Sequence, residues 1–386
     1  MQSIFAGRLT GRRILVTGHT GFKGSWLCHW LSMVGGEVHG LALDPNDDQI
    51  FYDQLSLGRR IESDHRIDIR DRDRVIDAVQ SVAPEFVFHL AAQPLVRYSY
   101  DAPYETFAVN VMGTAAVLDA VLTLDRPCNV VVVTTDKCYE NLEWEHAYRE
   151  TDAMGGHDPY SASKGCAELV TSAYRRSFAA GQNRRVKIAS ARAGNVIGGG
   201  DWATDRIVPD IFRSIDRGDP IAIRNRVATR PWQHVLEPLS GYVWLAAMLD
   251  GGGRDLSPPV TADRCCDGFN FGPSLQSNRT VEQLVAEFAK HTSIEMVDDS
   301  DPNQLHEAGR LNLSIDRAFH RIGWRPVWDF ETTVQRTAEH YLASADFGGG
   351  SDSSIGVAED LVNTQIQRYC DDASRAGLAW TRRQPS

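Results

Sequence analysis

Tyr160 and Lys164 stand four residues apart in the stretch HDPYSASK. Pro159 just before them favours the first turn of a helix, where its missing N–H would have no partner anyway. On a helix, positions i and i+4 share one face. A phenol and an ammonium would then meet at a helix N-terminus, where the macrodipole favours negative charge. Free tyrosine ionises near pH 10 and a neighbouring cation stabilises phenolate, so the pair reads as a proton-transfer group for neutral pH. Taken alone, the same residues also fit a packed tyrosine and a solvated lysine. A second constellation is Thr134, Thr135, Asp136 and Lys137, closing the apolar run NVVVVTTDK. A threonine there can hold a substrate hydroxyl while Tyr160 takes its proton; Asp136 is an available acid and Lys137 a base or electrostatic partner. A third is Gly18, Gly21 and Gly24 in VTGHTGFKGSW, spaced GxxGxxG. Such glycines allow a tight turn and let the backbone approach a pyrophosphate seated on a helix N-terminus.

These groups need a frame, and the rest of the chain supplies one. RRILVTG, EVHGLALD, EFVFHLAA, NVVVVTTD and VKIASARAGNVIG read as strands, alternating with helical stretches such as SWLCHWLSMVGG, RVIDAVQSVAP and PYETFAVNVMGTAAVLDAVLTL. Nearly all-apolar strands between helices imply a parallel sheet covered on both faces. Ligands bind beyond the carboxyl ends of such strands, where the TTDK cluster falls. Asp44 ends the second strand about twenty residues after the glycines, where an acid accepts from a ribose 2′-hydroxyl and repels a 2′-phosphate. The expected cofactor is therefore NAD, with Asp68 and Ile69 near the adenine. The fold class is α/β, a Rossmann-type doubly wound parallel sheet with a smaller mixed α/β C-terminal substrate domain. The expected boundaries are 1–200 for the NAD-binding domain with its Tyr/Lys helix, 201–346 for the substrate domain, and 347–386 for a linker and peripheral tail.

Composition narrows the class further. The chain has 386 residues and a formal net charge of −11, which argues against a nucleic-acid partner. Seven cysteines without regular spacing fit a reducing compartment, and neither they nor the twelve histidines show metal-ligand spacing. No metal is expected. No apolar run approaches the roughly 18 residues of a membrane span, and the N-terminal apolar stretch is too short for a signal peptide. A cytoplasmic enzyme without membrane association is the expectation.

Gly18-x-x-Gly21-x-x-Gly24 with Tyr160-x-x-x-Lys164 resembles the extended short-chain dehydrogenase/reductase family. TDKCYEN, GNVIGGGDW and TRPWQHVLEPLSGY narrow the likeness to its branch of CDP-glucose 4,6-dehydratases, Lys137 helping to separate that branch from dTDP-glucose enzymes. The matching stretches span residues 11 to about 245, more loosely to about 345; 143–149 fits less well. The resemblance implies bound NAD held by Gly18, Thr20, Gly21, Phe22, Lys23, Gly24, Asp44, Asp68, Ile69, Leu90, Ala91, Ala92, Asn110, Thr134, Tyr160 and Lys164. It implies a nucleotide-sugar substrate, CDP-glucose, contacted by Gln93, Arg97, Asn195, Arg206, Arg230 and His234. Tyr160, Lys164 and Thr135 would oxidise C4, with Asp136 and Lys137 serving elimination across C5 and C6. A homodimer through the helices near 104–123 and 159–178 is implied as well. A sugar-nucleotide 4-epimerase, needing no elimination acid, is the competing reading; a non-catalytic NAD sensor would usually lack Tyr160 or Lys164.

Overall fold

Residues 13–17, RILVT, set the two faces of the fold. Ile14 and Val16 enter one apolar cluster and Leu15 the other, the period-two pattern of a strand buried on both sides. The computed structural model describes residues 1–46, 50–179, 185–253, 256, 258–299, 309–345 and 352–382. In it this strand, β1 (Arg13–Thr17), belongs to a seven-stranded sheet. Its companions are β2 (Glu37–Ala42), β3 (Ser63–Arg66), β4 (Phe86–His89), β5 (Cys128–Val133), β6 (Val186–Ala193) and β7 (Gly268–Phe271). The order is β7-β6-β5-β4-β1-β2-β3, and every pair is parallel. Chain direction across the sheet reverses between β1 and β4, and there the crevice for a ligand opens.

Nine helices matter for the site. They are α1 (Phe22–Met33), α2 (Arg72–Val82), α3 (Pro103–Leu122), α4 (Pro159–Tyr174), α5 (Ile207–Arg217), α6 (Leu236–Gly251), α7 (Val281–Phe288), α8 (Phe330–Ala345) and α9 (Asp352–Arg375). Asp158 caps α4, its carboxylate accepting from the Ser161 N–H at 2.9 Å, and Pro159 fills the first turn. α3 carries a π-turn over Ala108–Gly113, a distortion that re-aims side chains near functional sites. α6 is buried almost all round, as a core helix must be. A smaller cluster joins Val208, Ile211 and Phe212 of α5, Leu284 and Phe288 of α7, and Val334 and Tyr341 of α8.

The expected domain boundaries do not follow the packing. FNF in β7 was expected in the smaller domain, yet it pairs with β6, Gly268 opposite Ser190. α6 likewise packs its residues Leu239, Tyr242 and Val243 into the cluster beneath the main sheet. The tail is not peripheral either. Val362, Ile366 and Tyr369 of α9 are fully buried in that same cluster, as is Trp380, which stacks on Phe5 at 5.0 Å. Of the expected linker at 347–354, residues 347–351 lie outside the described residues and 352–354 open α9. α3 also corrects the expectation about membrane-spanning runs: by length and composition alone it is apolar enough to cross a membrane. Half of that stretch is buried within the fold.

Candidate active site

Beyond the carboxyl ends of β1, β4, β5 and β6 lies a cleft of about 680 Å3. Its NAD end is shaped by backbone. Gly18 has φ +74°, and a Cβ there would sit 2.7 Å from the Ala91 nitrogen; a Cβ on Gly24 would sit 2.1 Å from the Gly18 carbonyl oxygen. Close approach of this kind admits glycine alone and leaves the amino end of α1 open toward the cleft, which suits a pyrophosphate. Gly18, Thr20, Gly21, Phe22, Lys23, Gly24, Asp44, Asp68, Ile69, Leu90, Ala91 and Ala92 all line it. Asp44 is exposed and faces Arg66 at 3.6 Å, while Asp68 is gripped by Arg70 at 2.6 Å. The cradle fits a dinucleotide.

At that far end the cleft is lined by Thr134, Thr135, Asp136, Lys137, Tyr160 and Lys164. Thr135 caps the short turn after β5 and donates to Asp136 Oδ1 at 2.9 Å. Asp136 is 2% exposed and its Oδ2 has no hydrogen-bond partner among the described residues. Burial pushes its carboxyl pKa up; the Lys137 ammonium, the Thr135 bond and Arg230 pull the other way. Burial favours its protonated form, so it can donate a proton.

The Tyr160 phenol departs from expectation. Burial pushes its pKa up to about 12, the Thr135 hydroxyl and the Arg206 guanidinium opposing. Burial in turn pushes the Lys164 ammonium down to about 8, with Glu168 opposing. The helical frame is as read from the sequence, but desolvation of both groups outweighs the attraction expected between them.

The substrate end brings Arg97, Asn195, Arg206 and Arg230 to the cleft wall. Arg206 is held by Asp201 at 2.7 Å, and Arg97 lies 3.8 Å from Asp205. Arg230 is 7% exposed and donates to the carbonyls of Thr229 and Gly309. Three expected residues do not reach the cleft. His234 is wholly buried against Trp328 and Trp26, ring centroids 4.9 and 6.0 Å away, and burial pushes its pKa down to about 3. A neutral core histidine cannot hold a diphosphate. Gln93 and Asn110 are bonded to one another, the Gln93 N–H donating to Asn110 Oδ1 at 2.9 Å. Asn110, set in the π-turn of α3, also donates to Ser163 of α4 at 2.8 Å. It thus fixes the catalytic helix from behind.

Several functional groups were not read from the sequence. Asp201 holds Arg206, and its place in GGGDW after β6 was the available signal. Arg224, Asn225 and Asp210 also line the cleft, from a region without strong motifs. Lys23 does more than flank the glycines. Burial, then Arg206, push its pKa down to about 8, while Asp136 raises it, so its charge faces the reacting end. The poorly matching stretch 143–149 also has a place: the Glu143 carboxylate accepts from the Gly309 and Arg310 N–H groups at 2.9 and 2.6 Å, bracing the segment that Arg230 touches.

Comparison with known proteins follows the same lines. The family described as GDP-mannose 4,6-dehydratase matches residues 15–337. A CDP-glucose 4,6-dehydratase of Salmonella typhimurium is 46% identical over 341 residues, covering 86% of this chain and 91% of the relative. Among solved structures, the dTDP-glucose 4,6-dehydratase of Streptomyces venezuelae with NAD bound superposes with TM-score 0.69 at 22% identity, covering 86% of this chain and 97% of its own. The UDP-glucose 4-epimerase of Thermus thermophilus, in complex with NAD, gives 0.70 at 24% identity, covering 86% and 99%. Both likenesses show the fold. This chain belongs to the GDP-mannose 4,6-dehydratase family and is an NAD-dependent enzyme of the extended short-chain dehydrogenase/reductase type.

Proposed function

We propose that the protein converts CDP-glucose to CDP-4-dehydro-6-deoxyglucose by oxidation at C4, loss of water across C5 and C6, and reduction at C6. The observation that carries dehydration over epimerisation is Asp136, a buried acid with one unpartnered oxygen beside Thr135 and Tyr160. Epimerisation at one carbon has no use for such an acid. Preference for CDP-glucose is supported by the 46% identical relative. Bound in the glycine cradle, NAD brings a positively charged ring that takes up and returns a hydride. The chain supplies the proton chemistry. Thr135 orients the sugar 4-hydroxyl and Tyr160 takes its proton, with Lys164 stabilising the phenolate. The ketone acidifies the C5 proton, and Lys137 assists its removal. Asp136 protonates the departing 6-hydroxyl. Arg230, Arg206, Arg97 and Asn195 hold the diphosphate, where guanidinium forks suit phosphate oxygens.

A cytoplasmic homodimer belongs to the same reading. Tyr104 and Met112 of α3 and Leu169 of α4 are 87%, 64% and 59% exposed, an apolar face suited to a second copy. All seven cysteines are free, as suits a reducing compartment. The test is mass spectrometry of CDP-glucose, dTDP-glucose, UDP-glucose and GDP-mannose incubated with protein and NAD. Loss of one water from CDP-glucose alone is the expected result. Unchanged mass with altered stereochemistry would establish an epimerase instead, and sedimentation at one-chain mass would remove the dimer.

A further inference from the structure

Behind the catalytic face of α4 lies a buried ion pair that the mechanism above does not use. Glu168 stands one turn after Lys164, and Arg192 reaches it from β6; their side chains are 3% and 5% exposed. Arg192 Nη2 donates to Glu168 Oε2 at 2.8 Å, and Ser190 Oγ donates to the same oxygen at 2.7 Å. Thr134 Oγ1 donates to Oε1 at 2.5 Å. The other Arg192 arm donates to the Tyr139 hydroxyl at 2.6 Å, which donates in turn to Asn270 Oδ1 at 2.8 Å. Burial pushes the Glu168 pKa up, but Arg192 and the two hydroxyls outweigh it, and the group is held below the usual carboxylate range.

A buried ion pair is weak evidence for stability, because desolvation consumes most of the attraction. Its position argues for another role. Thr134, which grips Glu168, immediately precedes Thr135 and Asp136 at the end of β5. Glu168 is also the strongest influence opposing the desolvation of Lys164. From the other elements, Lys164 is faced by Cys138 after β5, Lys23 of α1 and His89 of β4. Burial keeps the Cys138 thiol and the His89 imidazole neutral, and Lys23 is a cation. None of these three supplies negative charge at neutral pH.

We propose that Glu168, gripped by Arg192, is a positioning residue: it holds Lys164 as an ammonium on the Tyr160 side of the cleft and ties that charge, through Thr134, to the Thr135–Asp136 end of β5. The kinetic consequence rests on the proposed dehydration, whereas the titration of Lys164 does not. The chain has five lysines, so NMR of protein labelled with 13C at the lysine ε-carbon resolves Lys164 directly, with Lys164→Arg for assignment. In the unaltered protein burial pushes the Lys164 pKa down to about 8, where the midpoint is expected. Replacing both charges, with Glu168→Gln and Arg192→Met together, should lower that midpoint by about one unit or more. Arg192→Met alone leaves the carboxylate without its guanidinium and should raise it. Structural damage would move both variants alike, so opposite shifts carry the proposal. Should the double variant fail to fold, Glu168→Asp gives the same fall in smaller measure. The alkaline limb of kcat/KM on CDP-glucose should follow the midpoint in each variant. Midpoints that stay fixed, or that move together, overturn the proposal, as does a pH profile indifferent to them. Opposite shifts in a protein that leaves CDP-glucose untouched would overturn the proposed substrate and uphold the role of Glu168.

Discussion

Glu237→Gln should make the protein more stable than its parent above neutral pH and remove that advantage in acid. Glu237 sits in α6 without any exposure. Its oxygens accept from the Val327 N–H at 3.0 Å, the Trp328 N–H at 2.7 Å and the Tyr369 hydroxyl of α9 at 2.8 Å. No cation figures among the groups acting on it, and burial pushes its pKa from the ordinary 4.5 up to about 7. Because the folded state binds this proton more tightly than the unfolded chain does, the stability it confers is complete below about pH 4.5 and lost as pH rises through about 7. At 1.36 kcal/mol per unit, ionisation inside the fold costs about 3 kcal/mol. Glutamine keeps an acceptor for the two backbone donors. Its amide can donate to the Tyr369 hydroxyl, which then donates to Ser240 Oγ, 3.0 Å away. Urea unfolding of both proteins in steps from about pH 5 to about pH 8 isolates the effect, since all other titrating groups cancel in the difference. The parent should lose about 3 kcal/mol relative to the variant over that range. A difference independent of pH would mean that Glu237 is ionised in the fold at its ordinary pKa, and the reasoning from burial would fail.

Asp136→Asn should block loss of water by a factor of about 100 or more while C4 oxidation continues, seen as a transient absorbance of NADH. Normal turnover would remove Asp136 as the acid. Gly24→Ala places a Cβ 2.1 Å from the Gly18 carbonyl oxygen and 2.7 Å from the His19 Cα. The cost should exceed the usual 1–3 kcal/mol of overpacking, roughly, because backbone cannot yield as a side chain does, and calorimetry should show a lowered Tm with weakened NAD binding. Ending the chain at residue 346 would uncover Trp30 and Trp328, which Tyr369 packs at 5.9 and 5.0 Å. Such a protein should aggregate or lose its cooperative unfolding transition; a soluble, active truncation would return the tail to the periphery.

How far these features could be read beforehand depends on whether the information is local. β1, β4 and β5 announce themselves through apolar runs, and the glycine turn through a spacing that only a close backbone approach requires. β3, SDHR, carries no such signal, because it is a half-buried edge strand whose pairing with β2 decides its state. β7, GFNF, has only two apolar residues and lies far along the chain, and nothing nearby in sequence shows that β6 awaits it. α9 was legible in principle: Ala358, Val362, Ile366, Tyr369 and Ala373 recur at helical spacing. Its polar majority concealed that stripe. His234 shows the opposite error. A histidine beside an arginine-bearing motif resembles a ligand, but its surroundings are two tryptophans, supplied by α1 and the segment before α8.

Protonation states were the least legible of all, because they are balances of depth against charge. Tyr160 and Lys164 could be paired on paper, but not the desolvation that leaves the phenol protonated and the ammonium marginal. The same burial acts on Asp136 in the useful direction, since an elimination acid must carry its proton. The Arg206 guanidinium already opposes the burial of the Tyr160 phenol, and in the proposed reaction Lys164, one turn along α4, adds its charge to the same end.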